Sequence, residues 1–286
     1  MLEAMNNHAW IKPTSLLGAA ADAIHSALGS RETMAKLAIK IRNQMNMIVG
    51  KHLGQSCNSY VNGEYYLLEV LKGKICTFVD IGANSGEWTE ALLSFNPDAT
   101  GHLYDPSRAC CEFLRAKFQD NRIIIHDKAL SNFEGIAEFA EEVDRGETSS
   151  LNIYSAAPGA IVRQVNVSTF DRELLSNSGP IDFVKIDAEG SDFQVIQGAQ
   201  EALKNGCIRW LQFEYNASWL DAGSSLKNAL QFFDSIHFDT YLLSKKGLTL
   251  FDYSQWGDFY AYANFLAVRR DSLSLLSGLI VPTASP

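Results

Sequence analysis

The sequence predicts an α/β fold built on a mixed, mostly parallel sheet with helices on both faces, preceded by N-terminal helices. Three observations predict it. From about Cys76 onward, short apolar runs alternate with helical stretches, the pattern of parallel strands joined by crossover helices. Four of those runs end in an acid, at Asp80, Asp105, Asp187 and Glu214. Toward the C-terminus the alternation gives way to a hairpin and one last strand, which makes the sheet mixed.

The elements follow in order. Leu16, Leu17, Ala20, Ala21, Ile24, Ala27 and Leu28 fall at helical spacing, and Gly29 offers a stop. Ser30 is placed to cap a second helix with the stripe Met34, Leu37, Ala38, Ile41, Met45 and Ile48, which Gly50 would end. Residues 1–70 therefore read as an N-terminal helical segment. Its stripes suit packing against the neighbouring domain, a lid or a dimer contact, so a homo-oligomer stays open. Residues 71–286 read as the α/β domain. Its strands are expected at 75–81, 102–104, 122–125, 181–186 and 210–213, with helices at 87–95, 109–118 and 193–202. Lys245-Lys246-Gly247 joins two further strands, 241–243 and 248–251, and 265–268 is the last. No internal repeat interrupts this order.

Composition narrows the function. With 47% hydrophobic and 20% charged residues the chain can bury a sizeable core. A formal charge of −9 repels phosphate backbones, so nucleic acid is not the expected partner. No apolar run approaches the ~20 residues that span a bilayer, and Glu3 and Asp22 spoil the start as a signal peptide. The five cysteines form no CxxC pair, which argues against a zinc site or a disulfide framework and for a reducing, cytoplasmic setting.

The chemistry gathers where the strands end, because ligands of open α/β sheets bind outside the carboxyl ends of the strands. In Asp80-Ile81-Gly82-Ala83-Asn84-Ser85-Gly86, Gly82 and Gly86 let the backbone turn tightly before a helix. The spacing is G-x-x-x-G, not the G-x-G-x-x-G of a nicotinamide or flavin site. The carboxylate two residues before Gly82 suits a ligand carrying an ammonium, as S-adenosylmethionine does, better than a pyrophosphate. One βα unit later, Asp105 in Tyr104-Asp105-Pro106 can accept both hydroxyls of a ribose. Asp127, at the end of the third strand, can accept from an adenine amino group. In Asp182-Phe183-Val184-Lys185-Ile186-Asp187-Ala188-Glu189-Gly190, Lys185, Asp187 and Glu189 alternate and so share a face. Charges placed together in this way are concentrated at functional sites. No histidine stands out as a base. Of the two near strands, His102 reads as core or edge and His126 as a residue that could face a ligand. Cys110 and Cys111 read as packing residues. The aromatic tail from Phe251 to Phe265 reads as core, and Trp219 as the better placed acceptor-pocket candidate.

Taken together these segments resemble the FkbM family of S-adenosylmethionine-dependent methyltransferases. The likeness rests on Asp80 to Gly86, on Asp105-Pro106 and on Phe183 to Gly190. Ser149-Ser150-Leu151, Val167 to Asp171 and Phe213-Glu214 add to it. It spans roughly residues 75–270 and leaves the N-terminal helices uncovered. Two positions depart from the family pattern, Asp105 and Asp192, where the family usually has Glu. Both keep the charge on a shorter arm. The resemblance implies a Rossmann-like class I methyltransferase fold with a seven-stranded sheet. It implies methyl transfer to a hydroxyl of a sugar, glycan or polyketide-like small molecule. Cofactor contacts are expected from Asp80, Gly82, Asn84, Gly86, Asp105 and Asp127. Catalysis is expected from Asp187 or Glu189 as general base, with Lys185 orienting them. It also implies a divalent metal between Asp187 and Glu214, with magnesium preferred for oxygen ligands. Two other readings compete: a nicotinamide-dependent oxidoreductase, and a catalytically silent S-adenosylmethionine-binding scaffold.

Overall fold

A computed structural model describes residues 16–54, 56–141, 149–151, 159–175 and 179–281. Glu3 and the side chains of Leu16, Leu17 and Ala20 lie outside the described residues. The chain falls into two units, residues up to Val49 and residues from Gly50 onward.

The first unit holds helix α1 (Leu16–Gly29) and most of α2 (Glu32–His52). The acid Glu32 opens α2, and Lys51 and His52 close it, each complementing the helix dipole. Two expectations are corrected. Ser30 does not cap α2, because its hydroxyl donates back to the Ala27 carbonyl at 2.9 Å. Gly50 does not end α2, which continues to His52; one helical glycine costs only about 1 kcal/mol.

The second unit opens with α3 (Glu64–Val70), then β1 (Thr77–Ile81), α4 (Glu87–Phe95), β2 (Thr100–Asp105), α5 (Arg108–Lys117) and β3 (Ile123–Asp127). Strands β4 (Ala129–Leu130), β5 (Gly135–Glu141) and β6 (Ile161–Ser168) form a separate small sheet in the order β4-β6-β5. The alternation resumes with β7 (Ile181–Ile186), α6 (Asp192–Gly198), α7 (Gln200–Lys204) and β8 (Ile208–Tyr215). It ends with α8 (Ser218–Asp221), α9 (Leu226–Ser235), β9 (Phe238–Ser244), β10 (Gly247–Leu250), α10 (Tyr253–Trp256) and β11 (Ala263–Arg269).

The main sheet is ordered β10-β9-β11-β8-β7-β1-β2-β3. Strands β3, β2, β1, β7 and β8 are parallel, and β11 runs antiparallel between β8 and β9. This is the expected Rossmann-like sheet of seven strands, with β10 added as an eighth through the Lys245-Lys246 hairpin. All six residues of β7 are buried, as a central parallel strand covered on both faces requires. The chain leaves β1 for β2 on one side and returns to β7 on the other, so the topological switch point lies between β1 and β7. The predicted helix 193–202 is divided at Ala199, where α6 ends and α7 begins.

Candidate functional site

The loop after β1 is held in place by the end of β2. The amides of Gly82 and Ala83 donate to the Tyr104 carbonyl at 2.9 and 3.2 Å. The amide of Asn84, left-handed at φ 45°, donates to Asp105 Oδ2 at 2.8 Å. Gly82 has φ +79°, and a Cβ there would collide with the Asp187 carbonyl oxygen. The β1 and β7 loops can therefore touch only because residue 82 lacks a side chain. Gly86 starts α4 at φ +69°, against Phe118 and Leu114. Gly82→Ala is expected to lower the thermal midpoint by several degrees and to weaken cofactor binding with it; a variant that melts and binds as the parent does would show the close approach is unimportant.

Asp105 is 6% exposed. Its second oxygen accepts from the Ser107 amide at 2.8 Å, and Ser107 in turn caps α5. Burial pushes its pKa up to about 6, against the two amide bonds that favour the carboxylate. Each carboxylate oxygen has a further lone pair, so the group can still accept from a ligand. Asp127 stands next to Asp105 in register and is exposed.

Asp80 lies one residue inside its strand and is 1% exposed. Thr89 donates to its Oδ2 at 2.6 Å, while its Oδ1 has no partner among the described residues. In register, Asp80 of β1, Lys185 of β7 and Gln212 of β8 form one row across the sheet. Lys185 Nζ donates to Asp187 Oδ2 at 2.8 Å. Burial alone would lower the ammonium's pKa, but Asp187, Asp80 and Glu64 outweigh it and raise it. Asp187 Oδ1 is buried and has no hydrogen-bond partner among the described residues.

The turn after β7 is fixed by its own acids. Glu189 adopts φ 49°, a left-handed conformation that costs energy for a side-chain residue. Its carbonyl accepts from Ser150 Oγ at 2.8 Å. Asp192 is fully buried and accepts from the amides of Ala188 and Gly190 at 3.3 and 3.2 Å. Burial, then the charge of Asp187, pushes its pKa up to about 7. Glu214 is buried at the end of β8, and Asn216 Nδ2 donates to it at 2.8 Å. Burial, then Asp187, Glu189 and Asp192, raise its pKa well above the usual carboxylate range. The site thus carries several carboxyl groups against one lysine, and burial raises the pKa values of Asp80, Asp192 and Glu214.

Glu64 and Asn264, which sequence reasoning missed, join this cluster, as does Tyr262 of the aromatic tail that was expected to be core. Glu64, at the start of α3, accepts from Ser59 Oγ, Asn62 Nδ2 and Gln212 Nε2 at 3.0, 3.0 and 2.5 Å. Asn264 pairs with Glu214 in register and donates to Tyr262 Oη at 3.3 Å. Burial, then Glu214, Glu64 and Asp187, raise the Tyr262 pKa. Only Asn62-Gly63-Glu64, a turn with an acid opening an apolar helix, carries a local signal in the sequence.

Other candidates serve different ends. Trp219 does not line a pocket: it is fully buried among Phe193, Phe213 and Tyr215, and its indole N–H donates to the Glu214 carbonyl at 3.0 Å. His126 stacks on Tyr104 with ring centroids 4.2 Å apart and shares a hydrogen bond with His102 at 2.9 Å. Burial, then His102, pushes the His126 pKa down to about 4. Asp171 accepts from the amides of Glu201 and Ala202, both at 2.8 Å, and so anchors α7.

The acids do not suit a divalent metal. No three His, Cys, Asp or Glu side chains among the described residues converge to hold one. One oxygen of Asp187 is already bound to the Lys185 ammonium, which would repel a cation placed beside it. A sulfonium-and-ammonium ligand fits better: acidic groups line the strand ends, and buried oxygens of Asp80 and Asp187 stand unpartnered.

Compared with known protein families, residues 80–243 match the methyltransferase FkbM domain. No functionally curated protein is detectably similar in sequence. Among solved structures, a TehB-like SAM-dependent methyltransferase from Corynebacterium glutamicum is 11% identical, covering 82% of this chain and 99% of that one, with a TM-score of 0.43. The precorrin-6y C5,15-methyltransferase of Geobacter metallireducens is 12% identical, covering 72% and 87%, with a TM-score of 0.39. The N-methyltransferase NodS of Bradyrhizobium japonicum is 10% identical, covering 72% and 93%, also with a TM-score of 0.39.

Proposed function

The chain belongs to the FkbM methyltransferase family, and from that premise we propose that it is an S-adenosylmethionine-dependent O-methyltransferase whose acceptor is a hydroxyl of a sugar, glycan or polyketide-like small molecule. The observation that carries the oxygen acceptor is the unpartnered, buried Oδ1 of Asp187, held beside Lys185 at the switch point. The nicotinamide reading has no support, since the G-x-G-x-x-G turn is absent and the family is one of methyltransferases.

S-adenosylmethionine supplies a methyl group already activated on a sulfonium, so the protein's task is alignment and proton removal. Alignment can supply about 7–11 kcal/mol. Asp105 accepts the ribose hydroxyls and Asp127 the adenine amino group, while Gly82, Asn84 and Gly86 shape the loop beneath. Asp80 accepts from Thr89 and faces Lys185 in register inside the sheet, adding negative charge beneath the cofactor's cationic end. Asp187 Oδ1 accepts the hydrogen bond of the acceptor hydroxyl and takes its proton as the new C–O bond forms and the C–S bond breaks. Lys185 fixes the other Asp187 oxygen, and Glu189 closes the turn. Glu214, whose pKa burial and the neighbouring acids raise, accepts from Asn216 at the edge of the site.

A labelled methyl-donor assay across hydroxylated metabolites and glycans, with amines and RNA as controls, tests the function. Label in an O-methyl ether is expected; label only in amines or RNA would overturn the oxygen assignment, and S-adenosylmethionine binding with no transfer across the panel would favour the scaffold. Asp105→Ala tests the ribose assignment. Losing a hydrogen bond to a charged group costs about 1.5–3 kcal/mol, so cofactor affinity should fall at least tenfold. With its pKa near 6, Asp105 loses acceptor strength as pH falls. Parent affinity should therefore weaken from pH 7 to pH 5 in titration calorimetry, and the variant should not. Equal affinities, or parallel pH profiles, would refute the assignment.

A further inference from the structure

Helix α2 carries a feature that methyl transfer does not use. At 100° per residue, Met34, Leu37, Ala38, Ile41, Met45 and Ile48 fall within an arc of about 100°. Every residue from Glu32 to Ile48 is exposed, reaching 61% at Ile48. The helix has 21 residues and is about 30 Å long, so the apolar side chains form one continuous ridge. An exposed ridge of this kind marks an interaction surface.

The polar residues say what it meets. Arg42 borders the ridge on one side, Lys40 and Lys51 on the other, and Lys36 lies behind, between the exposed Ile39 and Met47. The helix's single acid, Glu32, is bound to Lys36 at 2.6 Å. A basic, amphipathic helix thus stands on a chain of net charge −9. A second copy is a poor match. Met34, Ala38, Ile41, Met45 and Ile48 alternate by four and three as a coiled-coil seam does, but the flanking positions are Ala35, Arg42 and Val49 on one side and Leu37, Gln44 and Lys51 on the other. Pairing would gather cations with no acid to answer them, where coiled coils use complementary charges.

An anionic bilayer answers both halves of the helix. The ridge enters the boundary between headgroups and acyl chains, and the flanking lysines and arginine reach back to the phosphates. We infer that α2 is an interfacial helix that docks the enzyme on anionic phospholipid. It lies in the plane of the surface: no helix among the described residues is long and apolar enough to cross a membrane.

Flotation of the full chain with vesicles tests this. The chain is expected to float with phosphatidylcholine vesicles containing phosphatidylserine and not with phosphatidylcholine alone, and the binding should weaken with salt. Lys40→Gln and Arg42→Gln should each lower partitioning about fivefold. Ile41→Glu combined with Met45→Glu should abolish it, with the thermal midpoint unchanged. The proposal is overturned if phosphatidylserine vesicles float no protein, or if binding survives the double glutamate variant. It is equally overturned if light scattering finds a dimer that this variant dissociates while vesicles capture nothing.

Discussion

Asp187→Asn is expected to cut methyl transfer by about 10²–10⁴-fold, the usual worth of a general base, while cofactor affinity and the thermal midpoint change little. The asparagine can still accept from Lys185 through its side-chain oxygen, so the local bonding survives. Lys185 also keeps Asp80 and Glu64 as buried counter-charges. What is lost is the unpartnered carboxylate oxygen proposed to take the acceptor's proton. Single-turnover rates at saturating S-adenosylmethionine check this directly. Full activity would remove Asp187 from catalysis and shift attention to Glu189 and Glu214.

Lys185→Met should have the largest effect on stability. Methionine fills the stem's volume beside Trp88 but leaves Asp187, Asp80 and Glu64 without their cation. Removing one partner of a buried pair costs about 3–5 kcal/mol. The sign with pH follows from the acids. Burial already raises the Asp80 pKa and Lys185 opposes that rise; without the ammonium it climbs further, so the stability is retained at low pH and lost as pH rises. The variant should therefore approach the parent near pH 4–5 and fall furthest below it at pH 8. A thermal midpoint at pH 8 within about 2 °C of the parent would show that the lysine is dispensable to the cluster.

Much of the site was legible because strand ends are. The alternation of apolar runs located β1, β2, β7 and β8, and Asp80, Asp105, Asp187 and Glu214 lie at or beside their ends. What the alternation does not decide is depth. Asp80 precedes the last residue of β1, so it pairs with Lys185 inside the sheet instead of standing on the rim. The small sheet was missed because β6 is largely exposed and its polar residues blur the alternation. Trp219 looked like a pocket residue from its distance to Glu214, but a short helix turns it inward. Glu64 was invisible, and Tyr262 read only as core, for a further reason. Glu64 reaches Gln212 across 148 positions of sequence, and both residues join the acids through tertiary packing from outside the segment 80–243.

The magnesium expectation finds no support among the described residues. The strand order puts Asp187 and Glu214 on neighbouring strands, but the ammonium of Lys185 holds one Asp187 oxygen and would repel a cation at the other. Turnover is accordingly expected to be insensitive to EDTA. Loss of activity restored by magnesium would mean that Lys185 moves away when the acceptor binds.

A crystal structure of the chain with S-adenosylhomocysteine tests the central claim most directly. The nucleoside should lie with its ribose on Asp105 and its thioether facing Asp187, above the turn that Gly82 permits. The same compound seated away from these carboxylates, or absent at saturating concentration, would contradict the account.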